Sequence, residues 1–351
     1  MVKKAAAIFI LLLSAQPAGA GGGGDALPFL KLDTGARGAA LAGAYCASGD
    51  DALSVFYNPA GTALVNKKEI LLGHNEWLEG IRNETAAYVH PLGPGLTLFA
   101  GINALFSGSM AKYDPVGDDI GTFSSMEGSY SAGLSGPLGN GFYGGAALKA
   151  LSQHAAGRKA MAWAGDAGIL KESGDWKFGI SGANFGGRLK FATSSFPLPL
   201  ILRAGVSRGF HEDFTVSAEG VKAGRSAGTA ALGAEGRLQA GPKEYFFLRA
   251  GYKTGRSRFA GPGFTAGVGL TSADFRLDYA FAPYGDLGDA HRITVALGFG
   301  AARPEKITRY SGLPPSREKL REYEPPKKTD TRTKAQKKKD NKKASEVYFM
   351  W

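Results

Sequence analysis

The sequence predicts an all-β protein, a transmembrane antiparallel β-barrel of about fourteen strands. Three observations carry that prediction. The chain opens with an export signal and has no later helical span. Residues 67–300 read as short segments of period two. The second face of those segments is filled by glycine, serine, alanine and occasional charges.

Lys3 and Lys4 precede an unbroken apolar run at residues 5–13. Residues 14–20 (SAQPAGA) end in the small-x-small pattern that a signal peptidase accepts, so residues 1–20 are expected to be a cleaved signal peptide. A helical anchor needs roughly 20 apolar residues, and no run of that kind follows. The single cysteine, Cys46, rules out an internal disulfide and any metal site built on several cysteines. Glycine supplies 52 of 351 residues without a Gly-x-y repeat. It interrupts apolar stretches such as GFYGGAALKAL, where each one weakens a helix.

The strands follow from alternation. Phe275, Leu277, Tyr279 and Phe281 share one face of residues 274–281, while Asp274, Arg276 and Asp278 occupy the other. Ile293, Val295, Leu297 and Phe299 alternate in the same way, as do Phe246, Leu248, Ala250 and Tyr252, and Trp176, Phe178 and Ile180. Side chains of a strand point to opposite faces in turn, so each segment presents one apolar face. The segments fall at 68–76, 82–90, 94–103, 124–134, 142–152, 161–170, 175–184, 199–207, 214–222, 228–239, 244–252, 263–271, 274–282 and 291–299. Their lengths match the roughly nine to eleven residues that cross a bilayer at a tilt. Residues 91–95 and 135–141 are read as short turns.

A soluble sandwich alternates as well. Export, the long strand-rich stretch and the small second face favour the membrane, since a water-facing surface would carry more Lys and Glu. Closure also satisfies every strand edge, as lipid demands. Trp77, Trp163 and Trp176 are expected near strand ends, where aromatic belts lie.

Residues 35–61 (GARGAALAGAYCASGDDALSVFYNPAG) resemble the opening of the PorV/PorQ family of outer-membrane proteins and, more distantly, that of FadL-like transporters. The match rests on small residues at 38–44, on Asp50 and Asp51, and on Phe56, Asn58, Pro59 and Gly61 within FYNPAG. A second match, to the family's closing hairpin, comprises Asp278, Tyr279, Phe281 and Pro283, followed by Gly288. The resemblance covers residues 35–300. It implies a fourteen-stranded outer-membrane barrel whose N-terminal segment, residues 21–65, folds back as a hatch in the lumen of a barrel spanning residues 66–300. Physically, Asn58 can bond nearby backbone while Pro59 biases it away from helix, and Gly61 can take dihedrals closed to other residues. A tight turn capping a short helix at residues 51–56 is an equal reading of the same motif.

No enzyme site emerges, and no metal or cofactor is expected. G-x-S-x-G occurs at 205–209 and 224–228 without a following helical pattern, and the five histidines are dispersed. Arg203, Glu219, Arg249, Arg276 and Asp278 lie on predicted lumen faces, where opposite charges are expected to pair. Residues 301–351 hold 15 Lys or Arg against 7 Asp or Glu, +8 of the total +11, and too few apolar residues for a core. This basic tail suits a periplasmic or acidic partner, whereas export puts it in the wrong compartment for nucleic acid. Two functions of different class follow. One is an outer-membrane channel in which the hatch gates small hydrophobic solutes, with membrane lipid around it. The other is a non-conducting barrel that tethers or shuttles exported proteins alongside secretion-system components. A gate preceding a barrel tips the balance toward transport.

Overall fold

The computed structural model describes residues 24–210, 212–255 and 263–303. The chain divides into the units Met1–Pro304 and Glu305–Trp351. The signal-peptide stretch, His211 and the tail beyond Arg303 lie outside the described residues. No described helix is long and apolar enough to cross a membrane, which leaves strand-built spans untouched.

Fourteen strands close into one antiparallel barrel: β1 (Lys68–Glu76), β2 (Arg82–Leu92), β3 (Leu96–Phe106), β6 (Ser125–Gly139), β7 (Phe142–Ala155), β8 (Arg158–Ser173), β9 (Trp176–Gly186), β12 (Ile201–Phe210), β13 (Phe214–Ala223), β14 (Thr229–Gln239), β15 (Glu244–Lys253), β16 (Phe264–Ser272), β17 (Phe275–Pro283) and β18 (Asp289–Phe299). Each pairs with its neighbour in the chain, and β1 pairs with β18 to close the wall. Every strand read from the sequence is present. Two hairpins were not foreseen: β4 (Met110–Tyr113) with β5 (Asp119–Phe123), and β10 (Arg188–Phe191) with β11 (Ser194–Pro197). They lie in the long excursions at 107–124 and 187–200, at the end opposite the tight connections 93–95, 140–141, 174–175, 240–243 and 273–274.

The outer face carries an apolar belt that includes Leu72, Leu134, Leu148, Ile180, Leu232 and Leu248, all exposed. An exposed apolar surface running right round a wall is stable only against lipid. The residues alternating with them point inward and are buried, among them Leu71, Ser181, Glu219 and Arg249.

Three local readings change. The turn expected at 135–141 shrinks to residues 140–141, because β6 runs on to Gly139 and the Ser135 hydroxyl bonds Thr62 inside the barrel at 2.7 Å. Trp163 is not at a strand end: β8 begins at Arg158, so this exposed ring lies well along the wall. Gly61 has no left-handed backbone. It is small because a Cβ there would fall under 3.0 Å from the Gly49 carbonyl oxygen.

Candidate functional site

The described residues preceding β1 fill the barrel. Residues 24–65 are almost wholly buried and pass through short helical turns: Pro28–Lys31, α1 (Ala36–Ala40), Ala52–Phe56 and Pro59–Leu64. Between them they touch every wall strand, which is possible only from within the lumen. We refer to this segment as the plug.

Local chemistry explains its turns. The Asp51 carboxylate accepts from Leu53 N (3.0 Å), capping Ala52–Phe56. Asn58 Oδ1 accepts from Ala60 N (3.1 Å) and caps Pro59–Leu64, with Pro59 at the position where its missing N–H does no harm. The Asn58 amide also donates to the Cys46 carbonyl at 2.9 Å and to that of Ile169 on β8 at 3.2 Å. One side chain therefore caps a turn, ties the plug to itself and ties it to the wall. The Tyr57 hydroxyl accepts from Thr34 N and donates to Thr34 O, stapling the two ends of the plug together. Phe56 packs beside Gly101 of β3.

The wall is shaped to receive this backbone. Gly145, Gly179 and Gly251 face inward on β7, β9 and β15, and a Cβ on any of them would fall under 3.0 Å from plug backbone at Pro59, Cys46 and Leu41–Ala42 respectively. Gly101, Gly168, Gly233 and Gly267 make similar close approaches to Val55, Asn58, Leu41 and Ala40. Strand glycines often mark such contact with a second chain segment. Here they form a girdle.

Charges fasten the seat. Arg37 of α1 forms a two-pronged pair with Glu235 on β14 (2.9 and 2.8 Å) and reaches Asp50 (2.7 Å) and Asp51 (3.0 Å). Arg249 joins Glu235 (2.6 Å) to Asp278 (2.7 Å), the Arg249 and Asp278 side chains being only 1% exposed. Arg276 contacts Asp51 (3.0 Å), Glu69 (3.2 Å) and Asp278 (3.2 Å). Glu219, paired with Arg203 at 3.0 Å, accepts from the amides of Tyr45 and Cys46 at 2.8 and 2.7 Å. All five residues expected on the lumen face are thus drawn into contact with the plug or its clamp. Arg37, Glu69 and Glu235 were not singled out beforehand. An arginine within GARGAALAGA was the available signal, because a charge buried among small residues must be paired.

Burial alone would raise the Asp50 carboxyl, but Arg37 and Lys177 outweigh it and bring it to about 2. Burial, with Glu219 nearby, pushes the Cys46 thiol up to about 12. Below the clamp, a polar cavity of about 480 Å³ opens among the tight turns, lined by Arg37, Asp50, Asp175, Lys177, Glu235 and Arg237.

The opposite end of the plug is apolar. Leu27 and Phe29 are buried against Leu151 of β7, Ala160, Ala162 and Ala164 of β8, and Leu189 and Leu198 from the 187–200 excursion. The Ala26 amide bonds the Pro197 carbonyl at 2.8 Å. Lys31 pairs with Asp25 (2.7 Å) and bonds Ser226 (3.1 Å), an outer clip for this segment.

The closing hairpin divides its motif between the two faces. Asp278 joins the clamp, whereas the Tyr279 hydroxyl meets His291 Nδ1 at 2.8 Å, with the Phe281 ring beside the same imidazole. Pro283 ends β17, and Gly288 has a positive φ of 96° in the turn that follows. Residues 205–209 lie within β12 and residues 224–228 join two strands, so neither G-x-S-x-G has the strand–turn–helix setting of a nucleophile elbow.

Similarity to known proteins runs chiefly through the fold. The toluene transporter TbuX of Ralstonia pickettii superposes with a TM-score of 0.56 at 14% identity, over 76% of this chain and 98% of that one. The CymD monoaromatic hydrocarbon channel gives 0.54 at 13%, with the same coverage. A FadL homologue from Pseudomonas aeruginosa gives 0.52 at 10%, also over 76% and 98%. The barrel has the FadL-type outer-membrane fold. In sequence, residues 18–98 match the model of an uncharacterised protein family, UPF0164. No curated protein matches.

Proposed function

We propose that this chain is an outer-membrane channel for small hydrophobic solutes, with the plug as its gate. The observation that supports it best is the apolar chamber inside the barrel. A lumen made only for water or ions has no use for Leu151, the three β8 alanines, Leu189 and Leu198 facing a common space, yet here Leu27 and Phe29 fill that space. A solute of similar size and polarity would compete with them for the same wall. TbuX is a toluene transporter and CymD a monoaromatic hydrocarbon channel, and we assign this chain the same solute class on the strength of its own chamber. Kinship with PorV/PorQ is part of the proposal and rests on the FYNPAG and closing-hairpin motifs. Export by a cleaved signal peptide belongs to the same reading, and catalysis does not.

The Ala26 amide makes the test simple. It is bonded to the Pro197 carbonyl at 2.8 Å, at the apolar end of the plug. Toluene is expected to accelerate hydrogen exchange at this amide, and cells carrying the chain are expected to take up labelled toluene several-fold faster than cells with an empty vector. Exchange indifferent to toluene and uptake no faster than in the empty-vector cells, with exported proteins co-purifying, would replace this reading with the tethering role.

A further inference from the structure

The inward cations of the wall are paired, as Arg203, Arg249 and Arg276 show. Two outward ones near the tight turns are not. Lys171 on β8 lies over the Phe142 ring, with its ammonium 4.5 Å from the centroid, and its one hydrogen bond is to the Asn140 carbonyl. Arg208 on β12 is sandwiched, its guanidinium carbon 4.9 Å from the centroid of Trp176 and 4.6 Å from that of Phe210. Its Nε is buried and, among the described residues, has no hydrogen-bond partner. Among the described residues neither cation has a carboxylate partner.

Their strands flank one strand, β9. On β9, which runs between their strands, Phe178 is directly opposite Lys171 and Trp176 is directly opposite Arg208. The rings of Trp176 and Phe178 stack at 6.1 Å and 13°. Two strand spacings put the cationic strands roughly 10 Å apart. Lys171 is turned toward Phe142 on β7, and a rotation of its flexible four-carbon stem brings its ammonium back over the aromatic floor beside Arg208. An unpaired guanidinium on a lipid-facing wall needs an anion or water, and a phosphodiester offers two oxygens for two cations. Tight turns face the periplasm in bacterial outer-membrane barrels. On the membrane reading above, this patch then lies at the headgroups of the periplasmic leaflet.

We propose that the rim of β8, β9 and β12 is a binding site for one glycerophospholipid, its phosphate held by Lys171 and Arg208 over Trp176. The channel thereby carries a lipid site on its outer wall, separate from the lumen.

The test uses the full chain in nanodiscs of phosphatidylglycerol mixed with diacylglycerol, followed by mass spectrometry under conditions that preserve bound lipid. Wild type is expected to retain one phospholipid that the K171Q/R208Q double variant binds about tenfold more weakly, the scale of losing a charge-assisted bond. R158Q/K159Q, at the other end of β8, is expected to behave as wild type, and R208K to recover part of the loss. Heat-modifiable migration of the double variant confirms that its barrel has formed. Equal retention by wild type and the double variant, retention of diacylglycerol in place of phospholipid, or displacement by millimolar inorganic phosphate would each overturn the site. If wild type fails to float with lipid vesicles, the membrane reading itself falls and takes the site with it.

Discussion

The two halves of the plug are held by different forces. Around α1 and residues 45–51, small apolar contacts such as Ala36, Ala39 and Ala40 on Ala280 are joined by ion pairs and by backbone packed onto glycines, with Arg37 at the centre. At residues 26–32 they are apolar side chains against β7 and β8, with the partly exposed Lys31–Asp25 pair as a clip. Apolar contact is non-directional and can be exchanged for contact with a hydrophobic solute. A buried multidentate ion pair cannot be exchanged in that way: removing one partner strands the other charge. On the channel function proposed above, the apolar half is the one that yields to a solute while the charged half holds its seat.

The strongest way to break this contrast is Arg37→Ala. It removes the cation shared by Glu235, Asp50 and Asp51, of which Glu235 keeps Arg249 and Asp51 keeps Arg276, a change of about 3 kcal/mol, the low end for breaking a buried pair. The lower plug should unseat, and maleimide labelling of the buried Cys46 thiol should rise by at least tenfold at neutral pH. Labelling as slow as wild type would mean that the clamp does not hold the plug. Next in size is Gly179→Ala, which drives a methyl group into the Cys46 carbonyl. Overpacking of this kind costs about 1–3 kcal/mol. The plug is expected to loosen while the barrel stays heat-modifiable. Gly165→Ala, where the nearest atom would lie at 3.6 Å, should leave both unchanged.

Why the wall was legible in the sequence and the seat only partly so follows from what each depends on. A strand spanning lipid must alternate, so Phe275, Leu277 and Tyr279 announce their face locally. Arg203, Glu219, Arg249, Arg276 and Asp278 could be given a face by the same parity, but their partners could not be read. Glu235 meets Arg37 across 198 residues of sequence, and no local pattern encodes that distance. The inward glycines looked like generic small residues until the plug backbone was seen against them. The apolar chamber was invisible for a related reason: Ala160, Ala162 and Ala164 read as small lumen filler, and only Leu27 and Phe29 packed on them show the surface to be greasy. The hairpins β4–β5 and β10–β11 are too short for their period to stand out.

Acid tests the charged half without mutation. The Asp50 carboxyl is held at about 2 in the folded protein, below the ordinary value of 3.8. A depressed carboxyl contributes stability that is present in full above its unfolded value and is lost as pH falls through its folded one. The plug should therefore hold its seat down to about pH 4 and lose the Asp50 contribution between there and about pH 2. Hydrogen exchange at the Ala39 amide of α1, bonded to the Gly35 carbonyl at 3.1 Å beside Arg37, is expected to accelerate within that window after a pH jump. Acceleration already complete at pH 5 would show that Asp50 is not held by Arg37.

The smallest effect is the most discriminating. Lys31→Ala removes only the clip to Asp25 and Ser226, a partly exposed pair worth about 1 kcal/mol or less. If the halves respond independently, the Ala26 amide, bonded to Pro197, should exchange up to about fivefold faster, the factor that corresponds to 1 kcal/mol. The Tyr45 and Cys46 amides, held by Glu219, should not change. Equal acceleration at both places would mean that the plug moves as a single body. A hydrophobic solute entering beside Leu27 and Phe29 would then have to work against the whole Arg37 clamp, and gating by displacement of residues 26–32 alone would be ruled out.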